Sequence, residues 1–142
     1  MEPGPSFGRL LLRGLTRRCP HCGSGGLFET WFRMAERCPR CGSRLEREAG
    51  AFLGAYFVNF CVTEAVLAVW IAVAFGFTLP DPPVATIVVG GLVITVLMPL
   101  LGYPFSRTTW AALHLAMAPL DPDEEADAAV FRFERGDAGP PP

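Results

Sequence analysis

The chain has no lysine, and its twelve basic residues are all arginine. Charge of either sign is also missing over two long stretches. Between Ala51 and Phe77 the only formal charge is Glu64, and between Val84 and Tyr103 there is none. Both stretches are long enough to cross a hydrocarbon layer of about 30 Å. Combinations that carry catalysis are absent as well: there is no nucleophile–base–acid set, no paired carboxylates and no phosphate-binding loop. The Gly90-Gly91 pair lies inside an apolar run, which is no phosphate cradle. No enzymatic role is therefore expected. Leu10-Leu11-Leu12 is too short for the apolar segment of a cleavable signal peptide, so the first long apolar stretch is expected to direct insertion. Basic residues interleaved with base-stacking aromatics are also lacking, and nucleic acid is not the expected partner.

What is present is unevenly placed. Nine arginines precede residue 50, against five acidic residues. The remainder holds three arginines against nine acidic residues, so a near-neutral total conceals a basic head and an acidic tail. Arginine flanks the apolar stretches, and the segment joining them carries only Asp81. The positive-inside rule then puts both termini in the cytoplasm and the joining loop outside, in a multi-pass membrane protein. The bilayer is the first expected partner.

Five cysteines are present. Four form two near-identical motifs, Cys19-Pro-His-Cys22-Gly and Cys38-Pro-Arg-Cys41-Gly. A C-x-x-C pair places two sulfurs on one edge of a tetrahedron, and a second pair closes it. The glycine after each pair suits a turn with positive φ, and the proline stiffens the entry. Cys19, Cys22, Cys38 and Cys41 are thus expected to hold one structural Zn²⁺, with iron in a rubredoxin-type site as the alternative metal. With four thiolates bound, no position is left to activate water, and the metal serves to fold a head too small to fold alone. CPHC also occurs as a redox-active dithiol at a helix start, so a membrane thiol oxidoreductase using Cys19 and Cys22 is an alternative, as is a tethered nucleic-acid-binding zinc ribbon. His21 reads as an exposed knuckle tip rather than a ligand. Cys61 reads as a packing residue inside the first span.

The pattern divides the chain into seven parts. Residues 1–15 form an N-terminal arm, with apolar positions 7, 10, 11, 12 and 15 suggesting a short amphipathic helix after a disordered start. Residues 16–49 form a zinc-ribbon-like, rubredoxin-knuckle head, in which Leu27-Phe28 and Trp31-Phe32 are expected to pack over the metal. Residues 51–77 and 84–103 form a two-helix transmembrane hairpin joined by the proline-rich loop 78–83. Residues 104–118 carry Phe105, Trp110, Leu113 and Met117 at helical spacing and read as a separate interfacial helix, with His114 on its polar flank. Residues 119–142 read as an acidic, largely disordered tail, in which Ala128–Phe133 could dock. The fold class is a small α-helical membrane protein.

Glu64 falls mid-way along the first span, where an ionisable side chain is costly and suggests a protein contact. Asn59 and Thr63 lie on nearly the same face, and Thr95 of the second span comes to a similar depth. These four are expected to form an intramembrane polar contact, within the hairpin or with a membrane-protein partner or second copy. Trp70 reads as a lipid-facing belt residue.

The order RCPHCG, Gly26-Leu-Phe28, RCPRCG, an aromatic-rich span, a short loop, a second span and YPFSRTTWAAL at 103–113 resembles the bacterial domain of unknown function 983 family (DUF983). The resemblance covers roughly Leu12 to Leu120. It implies a membrane protein with a cytoplasmic zinc-ribbon-like head and brings no catalytic mechanism. Genes of that family lie, in some bacteria, among those for cytochrome c oxidase and its assembly factors, which implies an accessory role in assembling a respiratory complex.

Overall fold

The computed structural model of the chain describes residues 6–136. The expected disorder of the first five residues and of the last six lies outside them. Four helices follow in order: α1 (Phe7–Leu15), α2 (Ala51–Thr78), α3 (Val84–Met117) and α4 (Pro122–Glu134). The described residues contain no strand. Two isolated antiparallel bridges, Phe28↔Met34 and Arg37↔Arg44, shape the segment between α1 and α2.

Helices α2 and α3 are both long and apolar enough to cross a membrane. They pack antiparallel, and two indoles set the spacing. The Trp110 ring lies over Gly54, and the Trp70 ring over Gly90, where any side chain would collide with it. Trp70 also donates its indole N–H to the Ile87 carbonyl at 3.2 Å. It is therefore half-buried in the hairpin seam, not on the lipid belt assigned from sequence. A glycine facing an indole brings the backbones close without leaving a void. Away from the seam the hairpin exposes apolar side chains, including Phe57 (63% exposed), Leu92 (62%) and Val96 (60%). Water does not tolerate such continuous apolar surface on a lone chain.

The interfacial helix expected at 104–118 is not separate. It continues the second span as one helix of 34 residues, with Pro99 and Pro104 inside it. Proline at position 104 has no N–H to offer the carbonyl of Leu100, four residues earlier. The indole of Trp31 in the head donates to that carbonyl instead, at 2.9 Å. The carbonyl that the proline leaves free is thus satisfied from outside the helix.

Beyond Tyr103, α3 leaves its apolar neighbours and becomes the platform for the head. Pro104, Ser106, Thr108, Thr109, Ala111 and Ala112 are buried. Gly14 of α1 sits on this face so closely that an added Cβ would lie 2.8 Å from the Ala112 Cβ and 2.9 Å from the Thr108 carbonyl. Thr108, 1% exposed, donates its hydroxyl to the Gly14 carbonyl at 2.6 Å. That carbonyl also accepts from the Arg17 amide at 3.1 Å, so the hydroxyl takes its second lone pair at the helix end. Two contacts fasten the head–α2 connection to the same platform: the ion pair of Arg107 with Glu46, and His114 Nε2 at 3.1 Å from the Glu48 carboxylate.

The tail also differs from the disordered segment expected. Helix α4 starts with a capping box between Asp121 and Glu124, with Pro122 at its first turn. It docks on the head through charge. Arg37 and Arg44 both reach Asp127, at 2.8 and 3.2 Å, and Arg47 pairs with Glu124. Hydrogen bonds from Arg47 hold the Glu124 carboxyl below its usual range, and those from Arg37 do the same for Asp127. Acidic tail and basic head are thus two sides of one interface.

The α1–α3 contact gives one substitution opposite signs at two sites. Gly14→Ala forces Ala112 or the Thr108 backbone aside and should destabilise by about 1–3 kcal/mol. Gly8→Ala on the same helix meets nothing within 4 Å. It should stabilise slightly through helix propensity, by up to about 1 kcal/mol. Thermal unfolding of both variants in detergent checks this, and equal effects would contradict the packing.

Candidate metal centre

The head's core is small: Cys19, Leu27, Met34, Cys38, Cys41 and Leu45, with Cys22 and Phe28 against it. Half of it is thiol. The two motifs adopt the same turn. The amide of Gly23 donates to the Cys19 carbonyl and that of Gly42 to the Cys38 carbonyl, at 2.8 and 3.0 Å. Gly23 and Gly42 have φ of 78° and 75°, values that disfavour any residue with a Cβ. Each turn closes when the first cysteine's amide donates to a serine carbonyl: Cys19 to Ser24, and Cys38 to Ser43.

The turns face one another. The sulfurs of Cys19 and Cys41 lie 3.7 Å apart, as do those of Cys22 and Cys38. All four sulfurs lie within 4.8 Å of one another, and the group could hold a metal ion. A tetrahedral ion with bonds to sulfur of about 2.3 Å would set its ligands about 3.8 Å apart. Disulfides, at about 2.0 Å, are excluded, and all five cysteines are free. Cys19 and Cys38 are fully buried (0% exposed) and Cys41 nearly so.

Electrostatics argue for a cation at the centre. Hydrogen bonding with Cys22 raises the Cys19 thiol, and the same contact lowers Cys22. Cys41 is pushed down to about 6, first by Cys19. Cys38 ends up raised: Cys19 acts to lower it, but Cys22, Cys41 and burial outweigh that. Four adjacent sulfurs in a dry core cannot all ionise without a counter-charge. A bound dication would hold all four as thiolates.

Sequence reasoning did not find the hydroxyls around the sulfurs. Ser24 Oγ lies 3.0 Å from the Cys22 sulfur and 3.2 Å from that of Cys38. Ser43 Oγ lies 3.1 Å from the Cys41 sulfur. A serine hydroxyl donates to one acceptor at a time and steadies a thiolate there. The signal was available, because the repeat runs one residue further than CPxCG: both copies read CPxCGS.

Two helices clasp the two turns. Arg13 of α1 donates to the Pro20 and His21 carbonyls at 3.0 and 2.8 Å and lies against Gly23. A Cβ on Gly42 would lie 2.6 Å from the Ala128 carbonyl of α4. His21 is exposed. Trp31 and Phe32 do not cover the metal centre as expected. They reach down to α3, where Phe32 meets Tyr103 at 5.4 Å between ring centroids. Leu27 and Phe28 do border the sulfur core.

The intramembrane set is not brought together. Asn59 and Thr63 are buried in the seam, where Asn59 donates to the Pro99 carbonyl at 2.9 Å and Thr63 to the Asn59 carbonyl. Thr95 donates to the Gly91 carbonyl of its own helix and is exposed. Glu64 follows Thr63 by one residue, about 100° around the helix, and is exposed. Asn59 faces Gly102 across the seam, and Glu64 lies five residues further along α2, about 8 Å away along the helix axis. Cys61 is exposed on α2 rather than packed.

One family profile, described as "Protein of unknown function (DUF983)", matches residues 28–115. The chain belongs to this family. The DUF983 match takes in the second cysteine motif, both apolar helices and the buried platform of α3. No curated protein and no solved structure matches the chain.

Replacing any one of the four cysteines by serine should unfold the head and lower protein abundance. Ser24→Ala and Ser43→Ala should leave it folded but weaken metal retention about tenfold or more against a chromogenic chelator. Normal abundance and protease resistance in all four cysteine variants would refute a structural metal.

Proposed function

We propose that this DUF983 protein is a non-enzymatic accessory protein of a bacterial inner membrane. In this reading α2 and α3 cross the bilayer, both termini are cytoplasmic, and one structural Zn²⁺ holds the head as a rigid docking module. The observation that carries the reading is the way the head is fastened. It meets α3 through Gly14, Thr108 and Trp31, so head and hairpin move as one piece. A tethered catalytic domain needs no such union; a part that positions one membrane complex against a cytoplasmic component does.

Zinc is favoured by four thiolate donors at tetrahedral spacing, a set that leaves no open position for activating water or substrate. The metal then supplies folding energy and charge neutralisation only. Orientation is supported by the arginines, which gather at the end of the hairpin carrying the head and α4. Glu64 supports a partner in the membrane. Exposed on an apolar helix, it calls for a hydrogen-bonding group from another subunit, from a larger complex such as a respiratory oxidase under assembly, or from a second copy.

Brief crosslinking in native membranes, mild solubilisation and mass spectrometry of what co-purifies test this. Defined membrane-complex subunits or their assembly factors should be recovered with the wild type and lost with Glu64→Ala. Recovery of the chain alone would overturn the docking role. Thiols cycling between free and oxidised forms, instead of staying protected from alkylation, would point to redox chemistry.

A further inference from the structure

Among the arginines of the head, Arg17 stands apart. Arg13, Arg33, Arg37, Arg44 and Arg47 each have a carbonyl or carboxylate partner. Arg17 is half-buried yet enters none of the ion pairs of the described residues. Its guanidinium stacks in a cage of three rings: Phe28 at 4.8 Å, Trp31 at 5.1 Å and Phe105 at 5.6 Å. Its Nε is sealed from solvent without a hydrogen-bond partner. Its backbone is held at φ 57°, a conformation disfavoured for any residue with a side chain. A strained backbone, a half-buried cation with a sealed Nε and no counter-charge are three costs at one residue. The rings recover part of the second and fix the plane of the fork, leaving its outer nitrogens to bond an anion.

The cage has a defined depth. Trp31 is tied to the Leu100 carbonyl, and Phe105 lies two residues before Arg107, the first charge on α3. In a bilayer that is the headgroup layer. Directly beside it, between α1, α2 and α3, opens an apolar groove of about 370 Å³. Leu15, Val62, Met98, Leu101 and Phe105 line it. Phe105 is shared by the groove and the cage.

We infer that Arg17 and this groove form a binding site for one anionic phospholipid, its phosphate on the Arg17 fork and an acyl chain along the groove. The inference rests on the membrane reading above. The ligand class follows from charge and shape together: a fixed cation without a counter-ion at headgroup depth, continuous with an apolar channel leading into the hydrocarbon. Bound there, the lipid would bridge α1 to both membrane helices and complete the joint between head and hairpin.

Native mass spectrometry of the delipidated, zinc-loaded full-length protein, titrated with phosphatidylglycerol or phosphatidylcholine, tests the site. One phosphatidylglycerol per chain should bind, at least tenfold more tightly than phosphatidylcholine. Arg17→Gln should abolish that preference, while Arg9→Gln, an exposed arginine of α1, should retain it. Val62→Trp, which fills the groove without touching the head, should weaken both lipids and serves where Arg17→Gln fails to protect its four thiols from alkylation. Equal binding of the two lipids, or full binding by Val62→Trp, would overturn the site. Release of the protein from membranes by alkaline carbonate would instead refute the membrane reading itself.

Discussion

Everything in the head of this protein depends on one electrostatic constraint: four sulfurs within 4.8 Å of one another need a cation between them. Without one, burial and mutual contact set the thiols against each other. With one, the same contacts become a tetrahedral centre. The head offers little else to fold on, since its buried apolar residues besides cysteine are Leu27, Met34 and Leu45. A segment of this size cannot offset its chain entropy with so small a core. The cluster therefore decides whether there is a surface for α1, α4 and α3 to pack against.

Each knuckle is then secured by a helix from a different part of the chain. Helix α1 presents Arg13 to the carbonyls of the first turn, and α4 presents the Ala128 backbone to Gly42 of the second. The two glycines serve twice, once for positive φ and once for close approach. Below them the extension of α3 past Tyr103 acts as a spine. Because it continues the apolar helix without a break, the head rests on the same element that forms the hairpin. The Leu100 carbonyl left free by Pro104 and taken by Trp31 is a second tie between head and hairpin.

Much of this could be read from the sequence, and the exceptions have physical causes. Apolar length marked the two helices, and paired cysteines marked the sulfur cluster, because both signals are local. The charge change at Arg107 suggested a separate interfacial helix after Tyr103, but composition does not show that a helix persists when its environment changes. The buried small face from Pro104 to Ala112, with Gly14 opposite, is a long-range match that periodicity within either segment does not reveal. The tail looked disordered because its acidic residues were judged alone, whereas Asp127 and Glu124 meet arginines some eighty residues earlier. The polar set around Glu64 failed for a simpler reason. One residue along a helix turns the side chain by about 100°, enough to separate Glu64 from the seam occupied by Thr63.

The central claim is that one metal ion, held by Cys19, Cys22, Cys38 and Cys41 alone, builds the head. X-ray absorption at the metal edge of the purified full-length protein tests it most directly. The account predicts one zinc per chain with four sulfur neighbours at about 2.3 Å and no nitrogen or oxygen neighbour. A first shell with fewer than four sulfurs, or a stoichiometry far below one in folded protein, would contradict it.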